Sequence, residues 1–102
     1  MKKLQPPNWS RPKGYSHGIV ADGPFVFVAG QIGWDADDVF VGERLAERVG
    51  QALRNVATVL EEADAAPDDI VRMTWYVTDK EEYLDQQREI GRAYKEVVGE
   101  HY

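Results

Sequence analysis

Residues 25–29, Phe-Val-Phe-Val-Ala, constrain the fold of this chain more than any other stretch. A run of apolar residues that are mostly β-branched or aromatic indicates a short β-strand rather than a helix. Because successive side chains of a strand point to opposite faces, this strand is apolar on both and must be covered on both. The run stops at residues 30–33, Gly-Gln-Ile-Gly, where the glycines allow a turn and a close approach by another group. We therefore expect the functional site at this strand end.

Shorter elements are predicted around this strand. The Asp-Gly pair at residues 22–23 is a tight-turn signal, and it predicts that residues 14–20 form the other strand of an antiparallel hairpin. Residues 34–38 form a polar loop and residues 39–41 a brief third strand. The aspartates of the loop do not follow the EF-hand spacing, so a solvated turn is favoured over a calcium site.

The remaining elements are an arm, two helices and one more strand. Residues 1–13 contain three prolines and little periodicity, which predicts an irregular arm. Residues 43–65 carry one apolar stripe at helical spacing. Residues 70–78 alternate as a strand does, and their face with Tyr76 is semi-polar, as suits an interface or a wet cavity. A capping box at residues 78–81 begins the second helix, and a glycine at 99 ends it.

Composition narrows the class of protein. The 102 residues predict a single domain, and 18 acidic against 12 basic side chains give a net charge of −6. Because the basic residues are scattered, this charge argues against a nucleic-acid partner. The sequence has no cysteine, so disulfides and thiolate metal sites are excluded. No signal peptide or membrane span is predicted, and we expect a cytoplasmic protein with no membrane partner.

The order and spacing of several short segments resemble those of a known family. These segments are Tyr-Ser-His at 15–17, Val-Ala-Gly-Gln-Ile at 28–32, Asp-Asp-Ile-Val-Arg at 68–72, Val-Thr-Asp at 77–79, and Tyr94 followed by Gly-Glu-His at 99–101. On these segments the chain resembles a RidA-type protein of the YjgF family, also described as endoribonuclease L-PSP. The resemblance runs from about Gly14 to the last residue. No single motif is diagnostic, whereas the order and spacing together are specific.

The resemblance implies an α+β, chorismate-mutase-like fold, in which a mixed sheet carries two helices on one face. It also implies a homotrimer whose sheets form a central barrel, with pockets in the clefts between subunits. Members with the full site hydrolyse reactive imine and enamine intermediates to 2-oxo acids and ammonia, without a metal or organic cofactor. Family members have two more strands after the second helix. We therefore expect residues 1–102 to be one C-terminally incomplete domain, or another chain to fill the gap.

The resemblance also implies site residues near the first hairpin. Tyr15 matches the family's pocket tyrosine and is the predicted catalytic residue, because its hydroxyl can orient water or substrate. A purely structural tyrosine at an interface is an equally good interpretation. Gly30 and Gln31 match the backbone that contacts a small carboxylate-bearing ligand, although a structural role for the Gln31 amide is favoured. The family serine before this glycine is Ala29 here.

On the second helix the match is weaker. Gly91 stands where the family has an asparagine, and Tyr94 is a candidate ligand contact that is more often a packing residue. No arginine matches the one that binds the ligand carboxylate in the family, because Arg88 and Arg92 occupy different helix positions. His17 is expected to have a structural or surface role rather than acid-base work.

Three functions remain open at this point. The first is imine hydrolysis of the RidA type, with little activity expected unless a longer chain supplies the arginine. The second is non-catalytic binding of an amino acid or 2-oxo acid by a trimer of the same fold. The third and weakest is a ribonuclease, since the chain is acidic and has no paired-histidine signature.

Overall fold

The computed structural model of this chain describes residues 2–12 and 16–99. Its elements follow in the order β1 (Lys2–Leu4), β2 (Gly18–Val20), α1 (Leu45–Glu62), a 3-10 turn (Pro67–Asp69), α2 (Lys80–Asp85) and α3 (Gln87–Val97). This is an α+β protein, as the sequence predicts. No helix in the described part of the chain is long and apolar enough to cross a membrane.

Helix α1 forms where the apolar stripe predicts it, with both ends two or three residues inside the predicted range. Its buried positions include Ala46, Gly50, Leu53 and Leu60, which lie on one face at helical spacing. Burial of a leucine side chain is worth about 1.5–3 kcal/mol, so this face is the main source of stability for the helix. The helix ends before Asp64, which has a left-handed φ of 55°.

The core lies between α1 and α3. A Cβ added at Gly50 of α1 would lie 3.6 Å from the Cβ of Ala93 on α3, so the two helix backbones approach closely at this point. Ile90 and Val98 add buried apolar side chains beside the crossing. The small residues allow this close contact, because larger side chains would separate the helices.

The second helix is broken where the sequence predicts a continuous one. It starts one residue later than predicted, with Asp79 rather than Thr78 as the cap, and the Asp79 carboxylate accepts a hydrogen bond from the Glu82 amide at 3.1 Å. It then divides into α2 and α3 at Gln86, which has φ −107° and ψ 14°. The predicted stop at Gly99 is confirmed, since this residue has φ +85° and its amide donates to the Lys95 carbonyl.

The break at Gln86 provides a hydrogen-bond acceptor for the first turn of α1. The first turn of α1 has no side-chain cap of its own, and the Ala46 amide instead donates to Gln86 Oε1 at 2.9 Å. Beside it, Arg44 Nη2 donates to Glu89 Oε1 at 2.7 Å. This hydrogen bond, with the attraction of the Glu89 carboxylate, raises the pKa of Arg44. Two side-chain contacts therefore join the start of α1 to the break and to α3.

The strands differ most from the sequence prediction. The predicted hairpin between residues 14–20 and residues 25–29 is wrong for the described residues. Strand β2 instead pairs with β1 in antiparallel register, which places Lys3 opposite Ile19. The arm predicted as irregular thus provides a strand. The described residues hold this two-stranded sheet rather than the larger mixed sheet with helices on one face.

The two apolar segments predicted as strands have no strand partner in the described part of the chain. Residues 25–29 and 70–78 both lack regular secondary structure. A strand needs a neighbour for its backbone hydrogen bonds, and no described segment lies beside either of them as a ladder. Their side chains are correspondingly open: Phe27 is 91% exposed and Tyr76 is 94% exposed.

A loop contact at Gly33 positions the predicted site against α1. Gly33 is buried, and a Cβ added there would lie 2.7 Å from the Cβ and 2.8 Å from the Cα of Arg48. Since the Cα belongs to the backbone of α1, the side chain cannot swing away to make room. Residue 33 must therefore be a glycine, because the loop lies too close to α1 to leave room for a Cβ, and the sequence predicts such a close approach at this segment.

We expect Gly33→Ala to lower the free energy of unfolding by about 1–3 kcal/mol, because the added methyl group must push the loop away from α1. Urea denaturation followed by circular dichroism measures the change. Gly30→Ala is the matched control, since a Cβ at that position meets no other described residue within 4 Å, apart from its chain neighbours. Equal stability of the two variants would contradict the close approach at Gly33.

Candidate functional site

The predicted catalytic residue, Tyr15, lies outside the described residues. Its role and its distance from the other candidates stay predictions. The site is therefore built here from the four ligand-binding candidates that the structure describes: Gly30, Gln31, Gly91 and Tyr94.

The backbone at residues 30–31 is open to a ligand. Among residues 2–12 and 16–99, no atom beyond Gly30 and its two chain neighbours lies within 4 Å of the position that a Gly30 Cβ would occupy, so a ligand can approach the main chain there. The Gln31 side chain turns back, and its Nε2 donates to the carbonyl of Ala29 at 3.2 Å. This bond is the structural role that the sequence favours for the Gln31 amide. What the pair offers a ligand is therefore mainly its backbone.

Asn55 on α1 holds the chain that follows this backbone. Its Nδ2 donates to the Ile32 carbonyl at 3.0 Å and to the Trp34 carbonyl at 2.8 Å. Its Oδ1 accepts a hydrogen bond from Gln51 Nε2 at 2.9 Å. The sequence analysis missed this residue. The available signal was an asparagine, a poor helix former, in the middle of a strongly amphipathic helix.

The polar loop after this segment is an aspartate-capped turn. Asp35 Oδ1 accepts hydrogen bonds from the amides of Asp37, at 2.8 Å, and Val39, at 3.1 Å. Trp34 and Phe40 close the turn with an edge-to-face contact, their ring centroids 5.4 Å apart. The carboxylate of Asp35 is thus occupied by the backbone, which supports the predicted turn. Among residues 2–12 and 16–99, no group of three or more acidic or histidine side chains could hold a metal ion.

The other two candidates lie together on α3. Gly91 and Tyr94 line an open cavity of about 520 Å³, which we call the α3 groove. Its other lining residues are three basic side chains, two aromatic ones, an amide and an isoleucine: Arg88, Arg92, Lys95, Trp75, Tyr83, Gln87 and Ile90. Neither Gly30 nor Gln31 is among them. The described residues of one chain therefore do not bring the four candidates into one pocket.

A second open cavity, of about 820 Å³, adjoins the α3 groove, since Gln87, Arg88 and Arg92 line both. Arg88 and Arg92 line it as well, together with Arg44, Asp85 and Glu89. Because carboxylates and guanidinium groups are mixed here, this cavity is a poor trap for an ion of either sign.

His17 packs on the N-terminal arm. Its Nε2 lies 3.0 Å from the Ser10 carbonyl, and its ring contacts Trp9 edge-on with centroids 5.0 Å apart. A carbonyl can only accept, so Nε2 carries the proton in this contact. These contacts agree with the structural role expected of the residue.

The family of the chain follows from comparison with known proteins. Residues 9–102 match the family described as endoribonuclease L-PSP. Because this match covers nearly the whole chain, the chain belongs to that family. The RidA-type resemblance of the sequence is thereby confirmed.

Individual relatives agree with this assignment. The chain is 34% identical over 86 residues to a RutC family protein of Aquifex aeolicus, which covers 83% of the chain and 68% of the relative. A RutC family protein of Pyrococcus abyssi is 32% identical over 92 residues, 88% of the chain and 68% of the relative. The mitochondrial protein MMF1 of Saccharomyces cerevisiae is 30% identical over 83 residues, with 81% of the chain but only 54% of that protein covered.

We expect Asn55→Ala to lower the free energy of unfolding by about 1 kcal/mol, because two carbonyls lose their donor and the gain in helix propensity offsets only part of this. Hydrogen exchange at the amides of Asp35 and Val41, which donate to the Val39 and Gly33 carbonyls, should become faster as the segment loosens. The control is Thr58→Ala on the same helix, whose hydroxyl donates only to the Arg54 carbonyl one turn earlier. If the amides of residues 35 and 41 exchange equally fast in both variants, Asn55 does not hold the segment.

Proposed function

We propose that this chain belongs to a RidA-like protein that hydrolyses reactive imine and enamine intermediates to 2-oxo acids and ammonia. Membership of the endoribonuclease L-PSP family carries the proposal. It is supported by the open backbone at Gly30, which leaves room for a small ligand where the family resemblance puts one. A cytoplasmic location is part of the proposal.

The proposed substrate is a small 2-imino acid. Its carboxylate and imine nitrogen lie along the Gly30–Gln31 main chain, while the Tyr15 hydroxyl orients the water that attacks the C=N carbon. Water adds to this carbon, the nitrogen takes up a proton, and collapse of the carbinolamine releases ammonia and leaves the 2-oxo acid. Gln31 contributes backbone rather than its amide, since that amide is bonded to Ala29.

We further propose that the site is completed in a homotrimer. Phe27 and Tyr76 are almost fully exposed in the single chain, although both belong to apolar or semi-polar segments whose sequences predict strands. Docking against a second copy would cover these side chains and supply the missing backbone partners. The candidate pair Gly30 and Gln31 does not line the cavity that holds Gly91 and Tyr94 within one chain, which is expected when a cleft is built from two subunits.

Light scattering on the purified protein at micromolar concentration should give the mass of three chains. Phe27→Glu should shift this mass towards that of one chain, because a carboxylate cannot be buried in an apolar interface without a partner. Leu84→Glu on α2 is the matched control, being also an exposed apolar residue, and should leave the mass unchanged. A single-chain mass for the unmodified protein would overturn the trimer.

Imine hydrolysis is tested by coupling a threonine dehydratase to the protein and following the imine that semicarbazide traps. The product of the natural gene should accelerate imine loss, and Tyr15→Phe should reduce this by about 10²-fold or more. The 102-residue polypeptide alone should be weak, because none of its arginines matches the carboxylate-binding one of the family. Full activity of Tyr15→Phe would remove the proposed role of this residue.

The second candidate function is ligand binding without turnover. It is favoured by the side chains at the open backbone: Ala29 carries no hydroxyl, and the Gln31 amide is already bonded. Calorimetry with 2-oxobutanoate separates the two candidates. Micromolar binding by a natural gene product that leaves the imine unchanged would favour the binding protein over the enzyme.

A further inference from the structure

We propose that two side chains of α1, Asn55 and Gln51, are positioning residues for the ligand-binding main chain at Gly30–Gln31. They do not contact the ligand. They act through the carbonyls of Ile32 and Trp34, and in this way fix where the main chain lies when water attacks the imine. The inference rests on the proposed function, because it names what orients the main chain of that same site.

The segment that follows the ligand-binding main chain is held from two directions. The carbonyls of Ile32 and Trp34 accept hydrogen bonds from Asn55 Nδ2, at 3.0 Å and 2.8 Å. The carbonyl between them, that of Gly33, accepts a hydrogen bond from the Val41 amide at 2.9 Å. Three successive carbonyls are therefore fixed, and Asn55 alone fixes two of them.

The ligand-binding main chain itself has no such support. Among residues 2–12 and 16–99, no backbone–backbone hydrogen bond involves residues 25–31. The bond from Gln31 Nε2 to the Ala29 carbonyl lies within this stretch, so it ties the stretch to nothing else. Because Gly30 adds conformational freedom on the other side, the position of Gln31 is set mainly by Ile32, and hence by Asn55.

A chain of hydrogen bonds decides which end of the Asn55 amide faces the main chain. Arg54 Nη2 donates to Gln51 Oε1 at 3.3 Å, and Gln51 Nε2 donates to Asn55 Oδ1 at 2.9 Å. A guanidinium can only donate and a backbone carbonyl can only accept, so one orientation of the two amides satisfies the whole chain. Gln51 thereby keeps the NH₂ group of Asn55 turned towards the two carbonyls.

Positioning of this kind affects turnover more than it affects affinity. A bound ligand can follow a main chain that has shifted slightly, whereas the attacking water and the C=N carbon must meet in a set geometry. A displacement of about 1 Å can cost about 100-fold in rate. We therefore expect substitutions of Asn55 or Gln51 to lower kcat more than they weaken ligand binding.

Two substitutions at Gln51 separate orientation from packing. Gln51→Glu keeps the shape of the side chain but offers only acceptors, so it attracts Asn55 Nδ2 and turns Asn55 Oδ1 towards the carbonyls. Gln51→Met removes the polar contacts without reversing the amide. In the product of the natural gene, kcat for imine hydrolysis should fall about 10- to 100-fold in Gln51→Glu and less than about threefold in Gln51→Met. Equal losses, or the opposite order, would show that Gln51 only fills space and would refute the proposal.

The activity is counted per binding site, with the stoichiometry of 2-oxobutanoate binding taken from calorimetry, so that unfolded protein does not contribute. In Gln51→Glu the affinity for 2-oxobutanoate should weaken by less than about fivefold. The loss of kcat should persist at about 1 M salt, which screens the added charge but does not turn the amide back. Thr58→Ala on the same helix is the control and should keep full activity. A loss that salt abolishes, or that affinity accounts for entirely, would overturn the positioning role.

The backbone amide signal of Gln31 tests the positioning in the protein without ligand. Its ¹H–¹⁵N shift should move further in Gln51→Glu than in Gln51→Met, because only the first variant displaces the main chain. An unmoved signal in an active enzyme would refute the positioning role alone. A moved signal in a protein that neither binds 2-oxobutanoate nor hydrolyses the imine would refute the proposed function alone.

Discussion

The contact between α1 and α3 is the interaction on which the rest of the described structure depends. The helices approach closely at Gly50 and Ala93, and most of the buried apolar side chains lie on these two elements. The loop that carries the candidate backbone has no core of its own. It packs through Gly33 on α1 and is tied to α1 by Asn55. The loop is therefore fixed relative to α1, and its position relative to α3 depends on the contact between the two helices.

The helices could be predicted from the sequence because their signal is local. The apolar stripe of α1, the acidic cap of α2 and the glycine after α3 each act over one or two turns. The break at Gln86 could not be predicted, since it is stabilised by the amide of Ala46, forty residues away. Glutamine is compatible with a helix, so its presence at position 86 does not indicate that the helix breaks there. Nor does it indicate that its side chain caps a different helix, α1.

The strands could not be predicted with the same success because a strand depends on a partner. The apolar pattern of residues 25–29 indicates a preference for extended backbone, but pairing is decided by which segment lies beside it. The Asp-Gly turn signal favoured one partner for β2, whereas β1 takes that place. The prediction of the candidate site is limited in the same way, because some of its contacts join distant parts of the chain. Gly30 and Gln31 could be singled out by their position after an apolar run, while Asn55, which holds the next residues, acts across the fold.

The cap that Gln86 provides has a consequence for how the protein opens. The amide of Ala46 belongs to α1, yet its acceptor stands at the start of α3. Undocking of α3 would leave this amide without a partner and expose the first turn of α1 to fraying. The two helices therefore form one cooperative unit rather than two independent ones, and a single backbone proton in α1 reports whether α3 is in place.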